Sequence, residues 1–246
     1  MESLWEAIFC AVRIQDGDAV QAWREHDALL SEKCEILNKY QFTELRYESE
    51  DGTDFRVGLV KNHIWEGGSE ESGSGVRFIA NMPTEEVFTM PDYRKAEGKV
   101  VSSRPLSYRG NLIKDFSLTF HEGKVVDFDA REGYDALKQL LDTDEGSKSL
   151  GEVALVPYAS PISEMGILFY NTLFDENASC HLALGECYPT TVQDGEKMNE
   201  EELYQIGGNH SINHVDFMIG TKDMKITGIT EDGKEIPVFI DGSWAL

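Results

Sequence analysis

Carboxylates and imidazoles gather in two segments of this chain. Residues 171–181, NTLFDENASCH, carry Glu176 and His181 five positions apart, and residues 209–220, NHSINHVDFMIG, carry the pair His214 and Asp216 in an otherwise apolar stretch. In an extended segment residues i and i+2 project to one face, so His214 and Asp216 can share an ion. Burying them among Val215, Phe217, Met218 and Ile219 with neither a metal nor a partner would be costly. Imidazole combined with carboxylate suits zinc, cobalt or manganese better than calcium or magnesium. Glu176 and His181 can converge on one ion if 176–181 is a helical turn or a tight loop. A helical His210/His214 pair is the competing arrangement, and Gly207-Gly208 together with the strand-like HVDFMI argue against it.

Three further places could contribute. Glu85 and Glu86 lie in NMPTEEVFTMP, where two adjacent acids beside Val87 and Phe88 are awkward on a buried strand unless a cation receives one of them. Alternation would aim only one of the two inward; the bland reading is the solvated first turn of a helix. Glu152 stands at the entrance to the apolar run EVALVPY, a position that taken alone is a solvated strand end. Tyr188 precedes Pro189, which predicts a turn; its phenol can donate to a developing oxyanion, although such a tyrosine is ordinarily packing.

The elements that must position these residues read as α+β. Residues 3 to about 40 have the periodicity of two helices, with Leu4, Ile8, Ala11 and Val12 on one face of the first and Ala19, Trp23, His26, Leu30, Cys34 and Leu37 on the second. Asp16-Gly17-Asp18 separates them, with Asp18 available as a cap, and His26 reads as a packing histidine. From Thr43 to Phe128 short alternating segments predict a mixed, mostly antiparallel sheet or partly closed barrel. His121-Glu122-Gly123 joins a hairpin there, and GGSEESGSG (67–75) reads as a flexible loop. Peripheral helices are expected at 132–142 and after Asn199, whose N-x-x-E spacing predicts a capping box. A C-terminal hairpin turns at Glu-Asp-Gly.

Composition limits the partners. With 45 acids against 22 basic residues and a net charge of −23, the chain lacks the basic face that nucleic acid requires, and its field repels anionic membranes. Four cysteines without C-x-x-C spacing read as reduced thiols, and the N-terminus has neither a basic leader nor a long apolar run, so a cytoplasmic location is expected.

Taken in order, NMPTEEVFT, GEVALVP, LFYNTLFDENASCHLALG, the following YP and NHVDFMIG resemble the aminopeptidase T and aminopeptidase S family of two-metal aminopeptidases, and the likeness runs from about Trp5 to Trp244. The resemblance implies metal ligands at Glu86, Glu152, Glu176, His181, His214 and Asp216, with Glu152 as the bridge, Glu86 preferred over Glu85, and Tyr188 as the catalytic tyrosine. Glu85 is left as a proton shuttle or a support for the ligands. Two divalent ions, zinc, cobalt or manganese, are implied as cofactors, activating water against peptides with a free N-terminus. A homodimer is the family-based expectation. The family has a further N-terminal α/β domain, so residues 1–246 are expected to be the catalytic domain without it. The alternatives are a metal-binding module without useful catalysis and, with less support, a two-metal amidase or phosphoesterase.

Overall fold

The computed structural model describes residues 2–14 and 17–246; Asp16, expected to help break the first two helices, lies outside them. The helical pair forms as α1 (Glu2–Ala11) and α2 (Ala19–Tyr40), and Asp18 caps α2 by accepting from the Val20 and Gln21 N–H groups. Trp23, His26, Leu30, Cys34 and Leu37 face inward as their spacing requires, whereas Leu4 of the first helix is exposed. The Trp23 indole donates to the Val12 carbonyl at 2.7 Å and fixes the hairpin's opening.

Alternating segments build the large antiparallel sheet. Its members are β1 (Glu44–Glu48), β2 (Asp54–Leu59), β6 (Pro91–Val101), β7 (Leu106–Tyr108), β8 (Asn111–His121) and β9 (Lys124–Glu132), with the C-terminal β13 (Lys225–Ile229), β14 (Glu235–Ile240) and β15 (Ser243–Trp244). The order is β15-β14-β13-β1-β2-β6-β8-β7, with β9 also on β8, and the path stays open instead of closing into a barrel. The β8–β9 turn forms where expected, with Glu122 at φ 49° and Gly123 at φ 81°, the two positive values that a tight two-residue hairpin turn demands. The 67–75 segment differs from expectation: Ser69–Glu71 is β3 and pairs with β4 (Arg77–Ile79) as a small hairpin of its own.

A second, four-stranded sheet in the order β12-β11-β10-β5 consists of β5 (Val87–Thr89), β10 (Leu150–Leu155), β11 (His181–Gly185) and β12 (His214–Met218). One of its faces joins the main core, where Phe217 meets Phe116 of β8 with ring centroids 5.9 Å apart. Helices α3 (Tyr134–Leu141), α4 (Pro161–Met165), α5 (Thr172–Glu176) and α6 (Glu200–Ile206) are peripheral, and α6 carries the expected capping box on Asn199.

One irregularity in the second sheet decides where Glu152 points. Leu150 pairs with Leu184 but Glu152 with Ala183, so Gly151 is an extra residue, a bulge that turns Glu152 to the face opposite Leu150. A Cβ on Gly151 would meet the Glu186 carbonyl oxygen at 2.1 Å and that of Gly185 at 2.3 Å. Gly151→Ala is therefore expected to destabilise the fold by about 1–3 kcal/mol or more. Gly73→Ala, where a Cβ meets nothing within 4 Å, should stay within about 0.5 kcal/mol of the unsubstituted chain. Urea denaturation of both variants checks this, and equal stabilities would contradict it.

Candidate metal centre

Register places the candidate residues on the outer face of the second sheet. Glu152 lies opposite Ala183, and Ala183 lies opposite Asp216, so the two carboxylates flank the smallest side chain in their row. His181 and His214 are each two residues from a member of that row and share its face. On the other side Ala154 pairs with Phe88, which brings Phe88, and Glu86 two residues before it, to the same face. The intervening residues Val87, Val153, Leu155, Leu182, Leu184 and Phe217 go into the core.

The side chains meet as this register requires. His181 Nε2 is 2.9 Å from Glu86 Oε2 and 3.6 Å from Glu152 Oε1. His214 Nε2 is 3.5 Å from Glu152 Oε2 and 3.4 Å from Asp216 Oδ1. Two trios result, Glu86/Glu152/His181 and Glu152/His214/Asp216, each offering ligand atoms within 4.8 Å of one another, and Glu152 belongs to both. Glu176, on the last turn of α5, lines the same cleft, as does Tyr188. The Tyr188 ring lies 4.7 Å from the His214 ring and 6.0 Å from that of Phe88, centroid to centroid.

Both imidazoles are oriented by backbone carbonyls. His181 Nδ1 is 3.1 Å from Ser179 O and His214 Nδ1 is 2.8 Å from Glu186 O. A carbonyl only accepts, so each Nδ1 carries the proton and each Nε2 is turned to the carboxylates. With the proton on Nδ1, His181 Nε2 and Glu86 Oε2 face each other at 2.9 Å as two acceptors, so neither buried atom receives a hydrogen bond among the described residues. Four acids, Glu86, Glu152, Glu176 and Asp216, thus share a cleft of about 370 Å³ that no Lys or Arg among the described residues lines.

Protonation reflects that crowding. Burial raises Glu152 to about 7, helped by the Asp216 and Glu86 charges and opposed by His181. Glu176 rises to about 9 through burial and then the Asp216 and Glu86 charges. Burial pulls His214 down, but Asp216 and Glu152 outweigh it and carry the imidazole up to about 9. In His181 burial is likewise overcome, here by Glu152 and Glu86, and the ring is held well above its ordinary value. A proton or a metal cation at each Nε2 answers the same electrostatic demand. The imidazole and carboxylate donors, the two facing acceptor atoms and the shared carboxylate fit a divalent metal ion.

Glu85 does not join the cluster. Its carboxylate accepts from Arg13 Nε at 2.9 Å and Nη2 at 2.5 Å, and its backbone N–H donates to Asn177 Oδ1 at 2.6 Å. A proton-shuttle role does not match that placement, because the residue beside Glu86 on an extended backbone faces the opposite side. His210, left without a role, is exposed beside Glu186. Sequence reasoning missed Glu66 and Glu70, which line the cleft, and Thr190, whose hydroxyl donates to Glu66 Oε2 at 2.7 Å. The acidic residues within an apparent flexible loop, 67–75, were the available signal. Among the described residues, no helix is long and apolar enough to cross a membrane.

Known proteins match this chain over nearly its whole length. The family model described as thermophilic metalloprotease (M29) matches residues 1–244. Aminopeptidase 2 of Geobacillus stearothermophilus is 53% identical over 245 residues, covering 100% of this chain and 59% of its own length. Aminopeptidase AmpS of Bacillus subtilis is 54% identical over 242 residues, 98% of this chain and 59% of that protein. The structure of wild-type AmpT from Thermus thermophilus superposes with a TM-score of 0.91 at 42% identity, over 100% of this chain and 59% of that one. The chain therefore spans about 59% of the length of these relatives. By the extent of these matches, it belongs to the thermophilic metalloprotease (M29) family.

Proposed function

We propose that residues 1–246 form the catalytic part of a metal-dependent aminopeptidase that removes N-terminal residues from peptides. The observation that carries this reading is the Glu152 carboxylate, one oxygen toward His181 and the other toward His214, shared by two ligand trios. Glu86 and His181 would hold one ion, His214 and Asp216 the other, with Glu152 between them and Glu176 completing the set. Bound there, two divalent cations would supply Lewis acidity and an activated water. Relatives of this family are named aminopeptidases, which supports peptides with a free amine as substrates.

The chain's own residues supply orientation and protons. Burial, and then the neighbouring carboxylates, raise the Tyr188 phenol above its ordinary value, so it stays protonated and able to donate to the oxyanion of a tetrahedral intermediate. Phe88 and His214 brace its ring. Glu66 and Glu70 form no ion pair among the described residues and keep the cleft negative, which suits a substrate's α-ammonium.

Three outcomes are expected. Excess chelator should abolish release of nitroaniline from aminoacyl nitroanilides, and zinc, cobalt or manganese should restore it; hydrolysis that persists in chelator would defeat the proposal. Two ions bound with no turnover would instead favour a metal-binding module without catalysis. Tyr188→Phe should keep its metal and lose about 100- to 1,000-fold in kcat. Metal affinity should rise with pH from about 6 to 9 and then level off. His214 and Glu176, both raised to about 9, hold protons below that value, and each proton must leave before its atom can bind an ion. Calorimetric titrations in buffers of different ionisation heat count the protons released, and an affinity constant across this range would contradict the assignment.

A further inference from the structure

The two outermost candidate ligands, Glu86 and Glu176, come from segments that no strand ladder joins. Glu86 precedes β5, and Glu176 ends a helix of only five residues. Their neighbours in sequence make the connection. Asn177, fully buried, accepts the Glu85 N–H on Oδ1 at 2.6 Å and donates from Nδ2 to the Leu173 carbonyl at 2.9 Å. The backbone partners fix the amide's orientation, since the N–H only donates and the carbonyl only accepts. Among the described residues this is the one hydrogen bond between residues 83–86 and 171–179.

The opposite side of the Glu86 segment is also tied down. Arg13, from the end of the α1 turn, grips the Glu85 carboxylate with two N–H groups, and the buried His26 ring of α2 lies with Nε2 2.7 Å from the Thr84 carbonyl, which it meets as a donor. Burial pulls His26 below its ordinary value, so the ring is a neutral donor. Residues 84 and 85 are thereby fixed by three side chains from three elements, while Glu86 alone is turned to the cleft.

We propose that Asn177 is a positioning residue of the metal centre, setting the separation of the Glu86 and Glu176 carboxylates through its bond to the Glu85 N–H, with Arg13 holding the same segment from behind. This rests on the two-metal reading and adds how Glu86, a member of the first trio, is kept in register with Glu176, which lies outside both trios. Hydrogen-bond partners of ligands typically govern metal affinity by about 10- to 100-fold. Asn177 makes no hydrogen bond to a candidate ligand side chain among the described residues; it acts through the backbone beside each of two.

Stepwise titration of the metal-free chain with cobalt(II), followed by calorimetry and by the visible spectrum of the bound ion, tests this. Asn177→Ala should weaken one of the two binding steps about 10- to 100-fold and change its cobalt spectrum, leaving the other step near its original affinity. Asn177→Asp keeps the acceptor for the Glu85 N–H but loses the donor to the Leu173 carbonyl, so it should recover only part of the lost affinity. Should the alanine variant fail to fold, Arg13→Met, at a side chain 30% exposed, is titrated in the same way and should show the same selective weakening. Unchanged binding, or an equal loss at both steps matched by a lower melting temperature in chelator, would overturn the positioning role. An unsubstituted chain that takes up no cobalt would overturn the metal reading beneath it.

Discussion

The register of the second sheet is the constraint on which the centre depends. Strand side chains alternate with a period of two, so a slip of one residue exchanges faces: His181 would enter the core and Leu182 would face the cleft. Leu182, Leu184, Val153 and Phe217 oppose such a slip, because each buries its apolar surface in the correct register alone. Burial of one face therefore fixes the chemistry of the other. The bulge at Gly151 is the single place where the alternation is broken, and without it Glu152 would point to the side of Leu150.

Electrostatics works against this arrangement before any cation is bound. Gathering four carboxylates in a half-enclosed cleft raises Glu152 and Glu176 and makes the imidazoles more basic, the signature of a place that is short of positive charge. Elsewhere buried acids are answered: Asp92 has Arg94 and Lys95, Glu85 has Arg13, and Asp175 accepts from the Phe169 and Asn171 N–H groups. The contrast is informative, because the overall acidity of the protein could otherwise account for any cluster of acids. What distinguishes the cleft is burial without a Lys or Arg partner, joined to imidazoles already fixed through Nδ1.

Much of this could be read from the sequence, since local periodicity carries it. His214 and Asp216 share a face because they are two apart on a strand. Asp18, Asn199 and the Glu122-Gly123 turn act through short-range hydrogen bonding or backbone preference, and each sits where its neighbours predicted. Non-local pairing was not legible. Nothing around Val87 indicates that its strand lies against β10, more than sixty residues onward, and that pairing is what turns Glu86 to the cleft. Likewise 67–75 has the composition of a flexible loop, yet its acidic residues form the β3 arm beside the cleft, and Asn177 acts through a peptide ninety-two residues away. Side-chain bonds to distant backbone leave no periodic trace.

The adjacent pair Glu85 and Glu86 shows how one physical rule can serve both scaffold and site. On an extended backbone two neighbouring acids must face opposite ways, so they cannot serve one ion together. Here the inward acid is neutralised by Arg13 and anchored beneath α1 and α2, while the outward acid joins His181. The helical hairpin would bury its apolar face against many surfaces, since hydrophobic contact is non-directional. Arg13 and His26 add direction to that contact: they reach consecutive residues, Glu85 and Thr84, and so tie the seating of the helices to the position of a candidate ligand. A carboxylate that resembled a second ligand in the sequence is better understood as the anchor that holds the first one still.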